Sequence, residues 1–581
     1  MKHSVAAAVA GVLAFAWIAT SQNPAAPNPS AAGDTCSALR QVDFARANPR
    51  TQITSAAKNA PAAAKGKAPA APEHCEVLGK INERTGVNSQ PYAIKFHLRL
   101  PATWNGNFFF EGGGGSNGNI GAAFGNLQGA QPGNALQQGY AVVSQDSGHD
   151  NAVNNDPARS GTVTFGFDPQ ARIDFGYKSY EEVKRAAEFL ILQYYGRLPR
   201  HSYYVGCSEG GREGMVVSQR FPEMFDGVLA CAPGLNLQKA AVYGHSWDVQ
   251  SFAEVATASG VYDRFGQPLL NKTFTDEDLD LASQAILGAC DALDNLEDGI
   301  IDNFPACTSA TVTPKLTAIT CPAAKRITCL SAAQVTALQK VYAGAKNPQG
   351  QLLYSDWAFD RGIGGRQGNG YNQGWRSWKI GAHDAPNNGA IIATLGSGSV
   401  SALFTTPPTE VASTGAPPLA FLRAIDVQTV GSKITATSGE YTTSVADFMR
   451  ASSTNLAPFK NRGGKLVIVQ GVSDPVFSIN DTIRWWEELN LVNNGQAASF
   501  ARMFAVPGMN HCNGGPATDQ FDAFSALVNW VEKSAAPAQI IATAGAASPF
   551  PGRTRPLCAY PAQARYNGSG SIEDAANFSC R

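Results

Sequence analysis

The stretch Gly206-Cys207-Ser208-Glu209-Gly210-Gly211 decides how this chain is read. It fits Gly-x-Ser-x-Gly, the strand-to-helix elbow that holds a serine Oγ out of a tight turn. Tyr203-Tyr204-Val205 leads into it as a strand, and Arg212 to Phe221 reads as the helix that follows. Three hundred residues later comes His511-Cys512. Each residue of this Ser and His pair has a cysteine as its sequence neighbour. A disulfide between Cys207 and Cys512 would tie the backbone of a nucleophile to the backbone of its base. A serine hydrolase needs those two side chains within about 2.6–3.2 Å.

Strand and helix patterns alternate around the elbow. Tyr92 to Leu100 alternates like a half-buried strand, and Phe108-Phe109-Phe110 is a short apolar strand running into Gly112-Gly113-Gly114-Gly115. Tyr140 to Ser144 is another strand, and Tyr180 to Tyr195 has helical periodicity. Gly227 to Ala232 reads as a core strand, Lys465 to Gly471 as a strand followed by Ser473-Asp474-Pro475, and Phe500 to Val506 leads to Pro507-Gly508-Met509-Asn510-His511. This grammar predicts an α/β-hydrolase fold. Residues 235–452 differ: amphipathic helices, Gly/Asn-rich loops and clustered aromatics interrupt the sheet domain as a large inserted lid domain. The expected organisation is a signal peptide over 1–21, hydrolase segments over 22–234 and 453–581, and the lid between them.

The 581 residues carry a net charge of −1 with no long basic or acidic run. That excludes a nucleic-acid partner and a polybasic membrane surface. Lys2 and His3, the apolar run Val5 to Ala19 and the small residues Ala19-Thr20-Ser21 have the anatomy of a signal peptide. The run is shorter than the roughly 20 residues of a spanning helix, so we expect export to the medium or periplasm and no membrane span. Residues 22–35 and 55–73 are Ala/Pro-rich and read as mobile or extended. Eleven cysteines suit an oxidising compartment, and the odd count leaves one over. Cys231, inside a core strand, is expected to be that buried thiol. A zinc site is the rival use of cysteines, but no Cys-x2-Cys pair or Cys/His cluster has ligand spacing.

Ser208, Asp474 and His511 stand in the chain order of an α/β-hydrolase triad. Asp481 and Asp519 are weaker choices for the acid. The oxyanion needs two N–H donors. We expect Glu209, directly after the nucleophile, and Gly115, from the early glycine run. A lone Gly-x-Ser-x-Gly also arises from a glycine-rich turn around a structural serine. The strand and helix context, the ordered Asp and His, and the cysteine neighbours select the hydrolase reading. A second constellation, Cys290-Asp291-Ala292-Leu293-Asp294-Asn295-Leu296-Glu297-Asp298-Gly299-Ile300-Ile301-Asp302, admits two readings: oxygen ligands around calcium, or a solvated acidic turn.

The chain resembles the tannase/feruloyl esterase family from about Cys36 to Cys580. The marks are Gly206-Cys207-Ser208-Glu209-Gly210-Gly211-Arg212-Glu213-Gly214, Cys290 to Asp294, Tyr371-Asn372-Gln373-Gly374-Trp375-Arg376-Ser377-Trp378, and Val506 to Cys512. The resemblance implies Ser208, Asp474 and His511 as triad, Gly115 and Glu209 as oxyanion donors, and a Cys207–Cys512 bridge. It implies a structural lid calcium held by Asp291, Asp294 and Asp298 and the carbonyls of Leu296 and Ile300, with no organic cofactor. It implies bridges Cys36–Cys75, Cys290–Cys307, Cys321–Cys329 and Cys558–Cys580, and an aromatic clamp of Trp378 and Phe477. The activity implied is hydrolysis of a small aromatic acid ester: a terephthalate monoester, or alternatively a feruloyl or galloyl ester.

One departure stands out. Family members that take a terephthalate monoester read its free carboxylate with a lid arginine shortly after the Trp-Arg-Ser-Trp stretch. Here Ile391 falls at that position, and Leu395 falls where an aromatic ring packs. Lys379 and Arg423 are the basic residues expected as stand-ins. Two other classes fit the residues less well. A peptidase or lipase of the same fold does not suit a low-charge lid with paired tryptophans, and a binding protein with a dead triad does not suit an intact Ser, Asp and His.

Overall fold

Nine strands build one sheet in the order β1-β2-β3-β5-β4-β6-β7-β8-β9. They are β1 Thr51–Asn59, β2 His74–Thr85, β3 Pro91–Pro101, β4 Phe108–Glu111, β5 Ala141–Gln145, β6 Ser202–Cys207, β7 Gly227–Cys231, β8 Lys465–Gly471 and β9 Ala501–Val506. The structure, a computed structural model, describes residues 35–66, 69–364, 374–385 and 389–581. The expected signal peptide, residues 22–34 and Tyr371-Asn372-Gln373 lie outside the described residues.

The pairing explains the two hydrophobic patterns. β1, β2, β3 and β5 pair antiparallel, whereas β5, β4, β6, β7, β8 and β9 run parallel. Parallel strands are covered on both faces, so they read as unbroken apolar runs. All of Gly227–Cys231 is buried, as is β8 from Leu466 on. β3 turns Tyr92, Ile94, Phe96, Leu98 and Leu100 inward and alternates instead. The helices Ser179–Tyr195, Glu209–Arg220 and Ile479–Val492 connect successive strands. One core cluster covers the face carrying Phe110, Tyr204 and Ala230, and a second covers Phe109, Tyr203 and Leu229 against the helix Ala523–Lys533.

Between β7 and β8 the described residues contribute no strand to this sheet. They form helices that include Ser246–Ala258, Asp276–Cys290, Ala332–Ala343 and Ile391–Gly398. Two of these start at reciprocal caps, Thr275 with Asp278 and Ser331 with Gln334, which satisfy otherwise orphaned amide donors.

Two features differ from the sequence reading. Residues 55–59 of the Ala/Pro-rich stretch belong to β1, whose small residues alternate weakly and gain their order from pairing with β2. Three further strands, Gln520–Phe521, Gln539–Thr543 and Thr554–Cys558, form a separate sheet, and Ala564–Tyr566 pairs with Phe578–Cys580. These short elements carry too few alternations to stand out in sequence.

Five disulfides close the chain: Cys36–Cys75, Cys207–Cys512, Cys290–Cys307, Cys321–Cys329 and Cys558–Cys580. Cys231 is the free cysteine, buried in β7, where burial pushes its thiol pKa up to about 12. It behaves as a small apolar side chain. Among the described residues no helix is long and apolar enough to cross a membrane.

The Cys207–Cys512 bond spans 305 residues. In the chain-entropy model a loop of ~100 residues or more stabilises by about 4–5 kcal/mol, and measured bonds often give less. Cys207→Ala with Cys512→Ala should lower Tm by several degrees in calorimetry. An unchanged Tm, or free thiols at both positions in a non-reduced digest, would contradict the staple.

Candidate active site

The end of β6 turns directly into the helix Glu209–Arg220, and Ser208 occupies the turn with φ +65° and ψ −120°. A non-glycine residue there is strained. The turn is held by Ser208 N–H donating to Cys231 O (3.0 Å) and Arg212 N–H donating to Ser208 O (3.0 Å). Its tightness fixes the flanking glycines. A Cβ on Gly206 would lie 2.7 Å from the Gly210 backbone, and one on Gly210 would lie 2.6 Å from Gly113 O.

His511 Nε2 lies 2.8 Å from Ser208 Oγ, and His511 Nδ1 lies 3.0 Å from both carboxylate oxygens of Asp474. The carboxylate requires a proton on Nδ1, which leaves Nε2 to accept from the serine hydroxyl. Asp474 Oδ1 also accepts from the amides of Val476 (2.8 Å) and Phe477 (3.2 Å), which fixes its plane. Both Asp474 and His511 are buried. The weaker acid choices are engaged elsewhere. Asp481 accepts from Asn236 Nδ2, and Asp519 accepts from the Gly514 amide beside the histidine turn.

The amides of Gly115 and Glu209 make no hydrogen bond to the described residues, and both residues line the pocket with Ser208. Glu209 N–H also stands at the positive end of its helix, which favours developing negative charge. Gly115 has φ +62°, a conformation glycine adopts without penalty. The glycine loop before it is anchored by fully buried Glu213. That carboxylate accepts from Gly113 N–H (3.1 Å), Asn117 Nδ2 (2.6 Å) and the Tyr204 hydroxyl, and burial raises its pKa. Beside it, buried Arg212 pairs with Glu209 and donates to the carbonyls of Phe175 and Gly176.

The pocket is a narrow cleft, with about 50 Å³ open to a water-sized sphere. Trp378 and Phe477 meet the His511 ring edge-on, at 5.1 and 5.6 Å between centroids. Ile391, Ile392, Leu395 and Gly396, from the helix Ile391–Gly398, supply a further wall. Thus Gly115, Ser208, Glu209, Trp378, Ile391, Leu395 and Phe477 converge on one cavity. Phe175, Leu237 and His245 also line it, and none of the three carries a motif that would have marked it in sequence.

Neither basic stand-in reaches this wall. Lys379 is buried, ion-paired with Asp248, and its Nζ lies 3.6 Å from the Trp357 ring centroid. Arg423 instead donates to Gln267 at the surface. No lysine or arginine is among the described residues lining the pocket.

The acidic loop sits apart from this cavity. Asp291 accepts from Gly299 N–H, Asp294 from the amides of Leu296 and Asp302, and Asp298 from Ile300 N–H. Asp298 is also ion-paired with Arg555 and lies 3.7 Å from Arg553. Burial and the Asp298 charge push the Asp294 carboxyl up to about 6. The carbonyls of Leu296 and Ile300 accept no hydrogen bond from the described residues. The donor chemistry therefore suits a hard cation. Even so, among the described residues no three His, Cys, Asp or Glu side chains are already drawn to metal-ligand spacing.

Comparison with known proteins sets this geometry in context. A family model, tannase and feruloyl esterase, matches residues 75–581. Mono(2-hydroxyethyl) terephthalate hydrolase of Piscinibacter sakaiensis is 47% identical over 563 residues, 95% of this chain and 92% of that protein. A probable feruloyl esterase of Arthroderma benhamiae is 27% identical over 517 residues, 85% of this chain and 83% of its own. Among solved structures, feruloyl esterase B from Aspergillus oryzae shares the fold with a TM-score of 0.67 at 22% identity, covering 94% of this chain and 100% of its own. Tannin acyl hydrolase from Aspergillus niger does so with a TM-score of 0.65 at 19% identity, covering 94% and 95%.

Ser208→Ala and Asp474→Asn test the arrangement. Each should lower kcat for an aryl ester by about 10⁴-fold or more, with circular dichroism unchanged. Retention of near wild-type turnover by either would exclude that residue from the chemistry.

Proposed function

This chain belongs to the tannase and feruloyl esterase family and is a carboxylic-ester hydrolase, and we propose that it cleaves small aromatic acid esters of the mono(2-hydroxyethyl) terephthalate type. The observation that carries the proposal is the Ser208–His511–Asp474 line opening into a pocket walled by Trp378 and Phe477. Ser208 Oγ attacks the ester carbonyl as His511 Nε2 takes its proton, and Asp474 stabilises the imidazolium. The oxyanion is received by Glu209 N–H and Gly115 N–H. His511 returns the proton to the departing alcohol, and water then clears the acyl-enzyme by the same route. With the terephthalate monoester the products are terephthalate and ethylene glycol.

The helical block between β7 and β8 acts in this scheme as a lid over the sheet's chemistry. Export through residues 1–21 delivers the chain to the medium or periplasm, where five disulfides are maintained. A second reading, a feruloyl or galloyl esterase with little terephthalate monoester activity, draws on Ile391. An apolar side chain cannot replace the bidentate contact an arginine makes with a carboxylate.

Initial rates on methyl ferulate, methyl gallate and the terephthalate monoester separate the two readings. Ile391→Arg should raise kcat/KM for the terephthalate monoester about tenfold, as a charge-assisted contact of ~1.5–3 kcal/mol implies, and do so more than for a neutral methyl ester. Equal effects on both would show that this position does not read the carboxylate.

Calcium belongs to the proposal as a structural ion in the acidic loop. Asp291, Asp294 and Asp298 would hold it with the Leu296 and Ile300 carbonyls, and when bound it would offset the repulsion among these carboxylates. Added calcium should raise Tm through binding to the folded state, and Asp291→Asn with Asp294→Asn should remove that response. No response in chelator-treated wild type would mean that Arg553 and Arg555 alone neutralise the loop.

A further inference from the structure

Among the polar side chains of the pocket that have no part in the scheme above, His245 is the only imidazole. His245 ends a π-helical turn, Ala240–His245, on the wall that also brings Leu237 and Ala241 to the cavity. Such turns insert an extra residue into a helix, re-aim its side chains and recur at functional sites. His245 Nε2 lies 2.9 Å from Val476 O. A carbonyl has no proton to give, so Nε2 carries the hydrogen and donates it. The remaining nitrogen of the neutral ring, Nδ1, is then a bare acceptor, and it makes no hydrogen bond to the described residues.

The surroundings keep the ring in that form. His245 is 5% exposed, and burial, followed by the nearby Lys379 charge, holds its pKa at about 3. Lys379 is itself occupied by Asp248. A neutral imidazole with one free lone pair therefore stands in a wall that is otherwise mostly aliphatic and aromatic. An acceptor left unpaired when a ligand displaces water is costly, so an occupant that supplies a donor gains over one that does not.

Resting on the esterase reading, we propose that His245 determines specificity by accepting, at Nδ1, a hydrogen bond from a hydroxyl group of the ester substrate. An ionised carboxylate has no proton to offer this nitrogen, whereas a hydroxyl does. The hydroxyl belongs either to a phenolic acid ring or to the leaving alcohol, and the chemistry at Nδ1 is the same for both.

Two ester pairs distinguish the sources. Methyl 4-hydroxybenzoate against methyl benzoate probes the ring, and 2-hydroxyethyl benzoate against ethyl benzoate probes the alcohol. The readout is the ratio of kcat/KM within a pair, measured on one preparation, so that the folded fraction cancels and the intrinsic reactivities drop out between variants. His245→Phe should lower the ratio for one pair about tenfold, as expected for one lost hydrogen bond, while His245→Gln, which keeps an acceptor, should retain part of it. Ratios in both pairs within twofold of wild type for His245→Phe would overturn the proposal. Failure of the wild type to hydrolyse any of the four esters would instead overturn the esterase reading on which it rests.

Discussion

The strained turn at Ser208 is the constraint around which the rest of the structure is arranged. A serine at φ +65° is tolerated only where its surroundings over-determine it. Here the C-terminal end of β7, the helix Glu209–Arg220 and the glycine loop after β4 all close on it. Gly206 and Gly210 are fixed by that closeness, because a side chain on the first would push the helix from the strand and one on the second would push it from the glycine loop. Glu213, one turn into the helix, then anchors the glycine loop from behind, so the nucleophile and the Gly115 amide are positioned by a single helix.

The pocket divides labour between the two parts of the chain. The sheet domain brings Ser208, Asp474 and His511 from the ends of β6, β8 and β9. The helical block between β7 and β8 brings Trp378, Ile391, Leu395 and His245. Most of the wall therefore sits on elements other than those that carry the reacting groups, Phe477 beside Asp474 being the exception. The buried Lys379–Asp248 pair joins two helices of that block. With its charge already compensated there, Lys379 is part of the support beneath the wall rather than a contact for ligand.

Much of this was legible in the sequence where the chemistry is local. The Gly-x-Ser-x-Gly turn demands particular residues at particular spacing, and apolar runs such as Val467-Ile468-Val469 mark strands covered on both faces. β1 was not legible, because Ala56 and Ala57 carry no pattern until β2 pairs with them. His245 was not legible either. Its character depends on burial and on a carbonyl at Val476, 231 positions away, and neither is encoded near residue 245. The fate of Lys379 shows the same limit: its charge is visible in the sequence, but Asp248, which holds it, is a partner 131 positions off.

The distance along the chain between nucleophile and base has a bearing on timing. Ser208 and His511 are separated by 303 residues, and such long-range contacts form late because the intervening chain must first be ordered. A chain that is still being synthesised carries its serine through most of its production with no base to activate it. The Cys207–Cys512 bond cannot close either until both sulfurs meet an oxidant. Hydrolytic competence thus arrives as a last event, after the whole helical block and β9 are in place, so half-made chains pose no hazard to esters they encounter on the way.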